Sequence, residues 1–133
     1  MSNKDLIKSG YEAFKAGDME TVMSLFHDDA EWQSLVGLTQ EQHPLAGLRS
    51  GKQAVGEFFA SMAQQFQFTN FEQLAYYEDG DTVFVHSKLA GTFPSTGKSI
   101  DTESLAIWKV RDGKATSYRE FTDTFGGMQA ANP

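Results

Sequence analysis

Apolar residues in the first half of the chain recur three and four positions apart. Leu6, Ile7, Gly10, Tyr11 and Phe14 form one such stripe, the spacing of a helix with one buried face. Ser2 or Asn3 can cap that helix, and Gly17 can end it. Asp18 stands at a second N-cap position. Met19, Val22, Met23, Leu25 and Phe26 follow as the apolar face of a short helix, with His27 in its last turn. Ala30 to Ser34 predicts a short strand carrying Trp32, and residues 35–50 read as a loop, or a loop with a turn of helix. From Lys52 a third helix is predicted by Ala54, Val55, Phe58, Phe59, Met62 and Phe66. After about Gln67 the period changes to two. Val83, Val85 and Leu89 alternate with Phe84, His86 and Lys88, and Thr102 to Val110 and Ala115 to Thr124 also predict strands. Asp79-Gly80 and Asp112-Gly113 mark hairpin turns. Met128 to Pro133 reads as a loose tail of what is otherwise one domain over residues 1–133.

Three helices with one strand among them, followed by a run of antiparallel strands, make an α+β fold. A sheet covered by helices on one face alone should have a polar second face. Here both faces carry apolar residues. Val83, Val85, Leu89, Ala106, Trp108 and Tyr118 form one set, and Phe84, Leu105, Ile107 and Phe121 the other. No helix remains to cover the second set, so a homodimer through the outer sheet face is expected.

Charge and composition remove several classes of function. Eleven Lys and Arg against 18 Asp and Glu give a net charge of −7, which repels phosphate backbones, so no nucleic acid partner is expected. No apolar run approaches the ~20 residues of a membrane span, and the first residues lack the apolar core of a secretory signal. The chain has no Cys, which excludes disulfides and thiolate chemistry and fits a cytoplasmic location. His27, His43 and His86 lie far apart without metal-ligand spacing, so neither a metal nor another cofactor is expected. Gly97-Lys98-Ser99 lacks the upstream Gly of a phosphate loop, Thr92 standing there instead.

Ala16-Gly17-Asp18 after an aromatic helix, Leu25 to Trp32 (LFHDDAEW), Pro44 to Gly51 (PLAGLRSG) entering a helix, and Tyr118 to Thr124 (YREFTDT) after Arg111-Asp112-Gly113-Lys114 occur in a telling order. The chain resembles the nuclear transport factor 2-like superfamily, in its SnoaL-like and ketosteroid-isomerase-related branch, over residues 4–126. The resemblance implies three N-terminal helices packed on a curved antiparallel sheet, enclosing a cone-shaped, largely apolar pocket. It also implies that many functions are open, since isomerases, cyclases, dehydratases, hydrolases and binding modules share the fold. The ketosteroid isomerase machinery does not carry over. Its general base would fall at Ser34, its oxyanion-hole Tyr near Gly10, one residue before Tyr11, and its protonated Asp near Ala106.

The same alignment turns Tyr118, Glu120 and Thr122 inward and Arg119, Phe121 and Asp123 outward. Glu120 and Asp123 are opposite in parity, so both reach one cavity only if the strand bends or ends near Thr122. A carboxyl on an aromatic wall loses hydration, its pKa rises, and it becomes a general acid or base near neutral pH. The alternative is that Glu120 pairs with Arg49 or Arg119 and is structural. Glu120, Asp123 and His43 are therefore the catalytic candidates. Trp32, Phe58, Trp108, Tyr118, Tyr11 and Tyr76 are the candidate substrate contacts. For Phe59 and Met62 core packing is the preferred reading, and for His86 an interface role. Glu103 is expected to pair with Lys88 or Arg119. Two functions compete, a cofactor-free acid/base enzyme acting on a small apolar molecule and a non-catalytic module that binds one; a third, a protein-interaction dimer, would need an exposed apolar patch beyond the dimer interface, of which the sequence shows no clear surplus.

Overall fold

The computed structural model describes residues 1–133. Ser2 caps α1 (Asn3–Lys15), its hydroxyl accepting from the Asp5 N–H at 3.0 Å. Gly17 follows at φ +77°, a backbone region open to glycine, and turns the chain out of that helix. Asp18 then caps α2 (Met19–Ser24) through the backbone N–H and hydroxyl of Thr21. That helix stops earlier than its apolar spacing suggests. Leu25 offers its carbonyl to the Ala115 N–H at 2.8 Å, and Phe26 and His27 open a strand, β1 (Phe26–Ser34). His27 thus lies in a strand rather than a last helical turn, its Nδ1 accepting from the Asp29 N–H. The loop after β1 contains one further strand, β2 (Gly47–Ser50), and leads into α3 (Lys52–Gln65).

Four long strands complete the sheet: β3 (Gln67–Asp79), β4 (Thr82–Thr92), β5 (Ser99–Arg111) and β6 (Lys114–Thr122). Their order is β2-β1-β6-β5-β4-β3. The sheet is mixed, not wholly antiparallel, because β1 runs parallel to β6 and sets Trp32 beside Tyr118. Asp112 and Gly113 both have positive φ, the two-residue turn whose twist matches the β5–β6 hairpin. No helix is long and apolar enough to cross a membrane.

Gly91 in β4 has a packing reason. A Cβ there would collide with the Phe66 ring and lie 2.5 Å from the Gln67 carbonyl oxygen, a backbone atom held in the β3–β4 pairing. Gly91→Ala is expected to cost about 1–3 kcal/mol in urea unfolding, the range of an overpacked core.

The C-terminus is not a loose tail. Thr124–Ala131 form α4, despite Gly126 and Gly127. Asp123 caps it through the Gly126 N–H at 2.9 Å. The Thr96 hydroxyl donates to the Ala130 carbonyl at 2.7 Å, and Lys98 Nζ donates to the carbonyls of Gln129 and Asn132. Tertiary bonds therefore supply what helix propensity withholds. Asp123→Ala should cost about 1 kcal/mol, confined to this helix, and appear as faster amide exchange at Gly126 and Gly127 with little change in global melting.

The two faces of the sheet divide as the alternation requires. Val83, Val85, Ala106, Trp108 and Tyr118 are buried toward the helices. On the other face Leu105 and Phe121 are paired across β5 and β6, are each 39% exposed, and adjoin the partly exposed Phe84 and Ile107. Within this face His86 Nε2 meets Glu103 Oε1 at 2.5 Å. Glu103 thus pairs with His86 and not with Lys88 or Arg119, although Lys88 is its register partner on β4. Arg119 lies over the Phe121 ring instead, 5.3 Å from its centroid.

Candidate active site

Between the sheet and the helices lies a cavity of about 120 Å³, with 20 of its 27 lining residues hydrophobic. Helix α1 brings in Tyr11, α3 brings Phe58, and the strands bring Trp32, Trp108 and Tyr118. Phe59 and Met62 pack against the core and line the cavity as well. Trp32 stacks on Tyr118 with centroids 3.6 Å apart and planes 13° apart, and it lies 5.0 Å from the rings of both Phe58 and Phe59. Its indole N–H donates to the Ser34 hydroxyl at 3.0 Å, and that of Trp108 donates to the Tyr11 hydroxyl at 3.0 Å. The polar edges of these aromatic walls are therefore satisfied inside an apolar space, as buried indoles require.

Glu120 brings a carboxyl group to this wall. It is partly buried, lines the cavity, and has no Lys, Arg or His within ion-pair distance. Arg49, one proposed partner, donates instead to the carbonyls of Pro44, Leu45 and Ala46 at 3.3–3.4 Å and lies over Phe58. Loss of hydration raises the Glu120 pKa from its ordinary value, while the Leu35 N–H and the Tyr118 hydroxyl pull it back. The Tyr118 hydroxyl is 3.4 Å from Oε2, a long contact that leaves the carboxylate free to take a closer partner. Burial in turn raises the hydroxyl pKa values of Tyr118 and Tyr11, and the nearby Glu120 charge adds to both, so each stays a neutral hydroxyl. Leu35 holds a left-handed backbone at φ +53°, uncommon for a residue with a side chain, directly after β1 and beside Glu120.

The other sequence candidates fall into three groups. His43 is 2% exposed and lines the cavity. Asp123 also lines it, because β6 ends at Thr122 and parity no longer binds, but it is solvent-exposed at the rim and its Oδ1 is engaged in capping α4. Tyr76 is not a cavity wall. It packs edge-on against Tyr11, 6.0 Å between centroids, and burial pushes its hydroxyl up to about 12. Sequence reading missed Ser34 as the acceptor for Trp32, the Leu35 N–H beside Glu120, and Gly127, where α4 closes on the cavity. Only the first had a signal, since β1 alternation places Ser34 two positions from Trp32 on the same face.

This mixed sheet with its helix-covered aromatic cavity defines an α+β pocket protein of the nuclear transport factor 2-like fold. The chain belongs to the SnoaL-like domain family, whose pattern its residues 7–118 match. It is similar to the crystal structure of a nuclear transport factor 2-like protein from Burkholderia thailandensis, at 24% identity and a TM-score of 0.88, over 100% of this chain and 99% of that one. A protein from Mesorhizobium loti assigned as a SnoaL-like polyketide cyclase aligns at 19% identity and a TM-score of 0.75, over 91% and 99% of the two chains. TerC, co-crystallised with polyporic acid, aligns at 26% identity and a TM-score of 0.79, over 97% of each chain. No functionally curated protein matches the sequence.

Proposed function

We propose that this protein is an acid/base enzyme acting on a small apolar compound, with Glu120 as the group that moves the proton. One observation carries the reading: a carboxyl with a raised pKa and no cationic partner lines a cavity whose wall is mostly hydrophobic. A structural carboxylate in such a place would have an ion-pair partner; one kept for proton transfer needs its lone pairs available to the substrate. Glu120 takes a proton from a carbon or hydroxyl of the bound compound and returns it elsewhere on the same molecule, as isomerisation, cyclisation or dehydration requires. The neutral Tyr118 hydroxyl donates to this carboxylate and orients it, and the Tyr11 hydroxyl, neutral as well, accepts from the Trp108 indole. That TerC was co-crystallised with polyporic acid supports a small-molecule occupant.

The test is proton exchange in D₂O, followed by NMR on a panel of small cyclic ketones, with wild-type protein and Glu120→Gln. Exchange catalysed by the wild type and lost in the variant supports the reading. Equal exchange in both, or binding without exchange in the wild type, leaves the hydrophobic-ligand-binding module, which the vacant ketosteroid isomerase positions at Ser34 and Ala106 favour.

The outer face of the sheet we assign to a second copy of this chain. Phe84, Leu105, Ile107 and Phe121 make a contiguous apolar strip across β4, β5 and β6, with the His86–Glu103 pair inside it. Sedimentation equilibrium should give a dimer for the wild type and a monomer for the double variant Leu105→Lys, Phe121→Glu. A wild-type monomer at micromolar concentration sinks this assignment.

A further inference from the structure

We propose that His43 is the hydrogen-bond donor that receives the ligand's polar atom, and that the ligand is a single six-membered ring bearing one carbonyl or hydroxyl oxygen. The inference rests on the cavity being the ligand site, as proposed above, and names the class of molecule it takes.

The donor role follows from the ring's own bonding. The Leu45 N–H donates to His43 Nδ1 at 3.1 Å, so Nδ1 carries no hydrogen and the neutral ring holds its proton on Nε2. Nε2 makes no hydrogen bond to any protein group, while the residue as a whole is 2% exposed. Nε2 is not sealed within the protein, and an oxygen brought by the cavity's occupant is the acceptor its N–H lacks. The ring is held for this purpose. Phe93 meets it edge to face, 5.4 Å between centroids, and α4 closes on it at Gly127, where a Cβ would stand 4.0 Å from Nε2. Burial also keeps the imidazole pKa down at about 4, so at neutral pH the site offers an uncharged donor.

Size selects the rest of the molecule. A dry apolar cavity of 150 Å³ holds one benzene ring. The volume here is about 120 Å³, and 12 of its 27 lining residues are aromatic, so its size matches one flat ring. Leu35 links the donor to the acid. Its backbone N–H lies beside the Glu120 carboxylate, and its side chain packs with His43 around Gly127.

The experiment uses the purified full chain with phenol, benzene and 2-naphthol as probes, followed by calorimetry and by ¹H–¹⁵N NMR of the histidines. Phenol should bind about tenfold more tightly than benzene, the worth of one hydrogen bond. 2-Naphthol should bind more weakly than phenol. In His43→Phe the preference for phenol over benzene should vanish while benzene still binds. In the wild type the His43 proton should reside on Nε2, with a resonance that moves on adding phenol and not benzene; this reading stands even if the variant does not fold. Equal affinities for phenol and benzene, a preference that survives His43→Phe, or a proton on Nδ1 overturns the donor assignment. Stronger binding of 2-naphthol overturns the single-ring assignment. These outcomes leave the Glu120 proposal standing, whereas failure of every probe to bind the wild type removes the cavity as a ligand site and both proposals with it.

Discussion

Glu120→Gln is expected to lower turnover by about 10²–10⁴-fold, the usual worth of a positioned general base, with ligand affinity nearly unchanged. Glutamine keeps the shape and the contact with Tyr118 but has no lone pair basic enough to take a proton. The same substitution should stabilise the fold at and above neutral pH. Glu120 has a folded pKa raised above its unfolded value, mainly by loss of hydration. Below the unfolded value it is protonated in both states and imposes no penalty. As pH rises through the folded value the native state must hold a poorly hydrated carboxylate, and stability falls. His43 has the opposite sign. Its folded pKa is lowered from 6.5 to about 4, so its contribution is fully present above 6.5 and is lost as pH falls toward 4. Wild-type melting temperature should thus decline on both sides of a maximum. Glu120→Gln should flatten the alkaline limb and leave the acid limb in place. Melting curves of the two proteins that superimpose from pH 4 to pH 9 would show that Glu120 is not desolvated, and the mechanism would lose its base.

How far this site could be seen beforehand depends on the range of the interactions that make it. Ser2, Gly17 and the Asp112-Gly113 turn act within a few residues, and each does what its local chemistry dictates. Period-two alternation along β6 set Tyr118 and Glu120 on the cavity side, since a one-residue slip would expose Tyr118. Interactions between distant segments were not legible. The helical spacing of Leu25 and Phe26 is overridden by pairing with Ala115, some ninety residues away, and the same pairing makes the sheet mixed. Helix α4 contains two glycines and depends on bonds from Thr96 and Lys98 that no window of local sequence contains. Glu103 found His86 and not Lys88, because the choice among neighbours on adjacent strands rests on side-chain reach, which register alone does not decide. The left-handed backbone at Leu35 had no glycine or asparagine to announce it.

Trp32→Ala should destabilise the protein by about 3–5 kcal/mol, among the largest effects of any single side chain here. Trp32 is 5% exposed and its ring touches Phe26, Phe58, Phe59, Trp108 and Tyr118, so truncation removes contacts in every direction. It also strands Ser34, whose buried hydroxyl accepts the indole N–H. With a shift of roughly 4 °C per kcal/mol for a domain of this size, the melting temperature should fall by on the order of 12–20 °C. The lost ring leaves a hole joined to the existing cavity, and indole in solution should fill it and recover part of the stability, as mass action requires of a ligand that binds only the folded state. The functional consequence runs through Tyr118. Its ring is clamped by the stack on Trp32, and its hydroxyl donates to the Glu120 carboxylate. Without the clamp Tyr118 is free to rotate, so turnover should drop even at temperatures where Trp32→Ala is fully folded, and added indole should restore it in parallel with stability. Stability recovered by indole without any return of turnover would mean that the Trp32–Tyr118 stack serves the core alone, and that Glu120 is oriented by the Leu35 backbone instead.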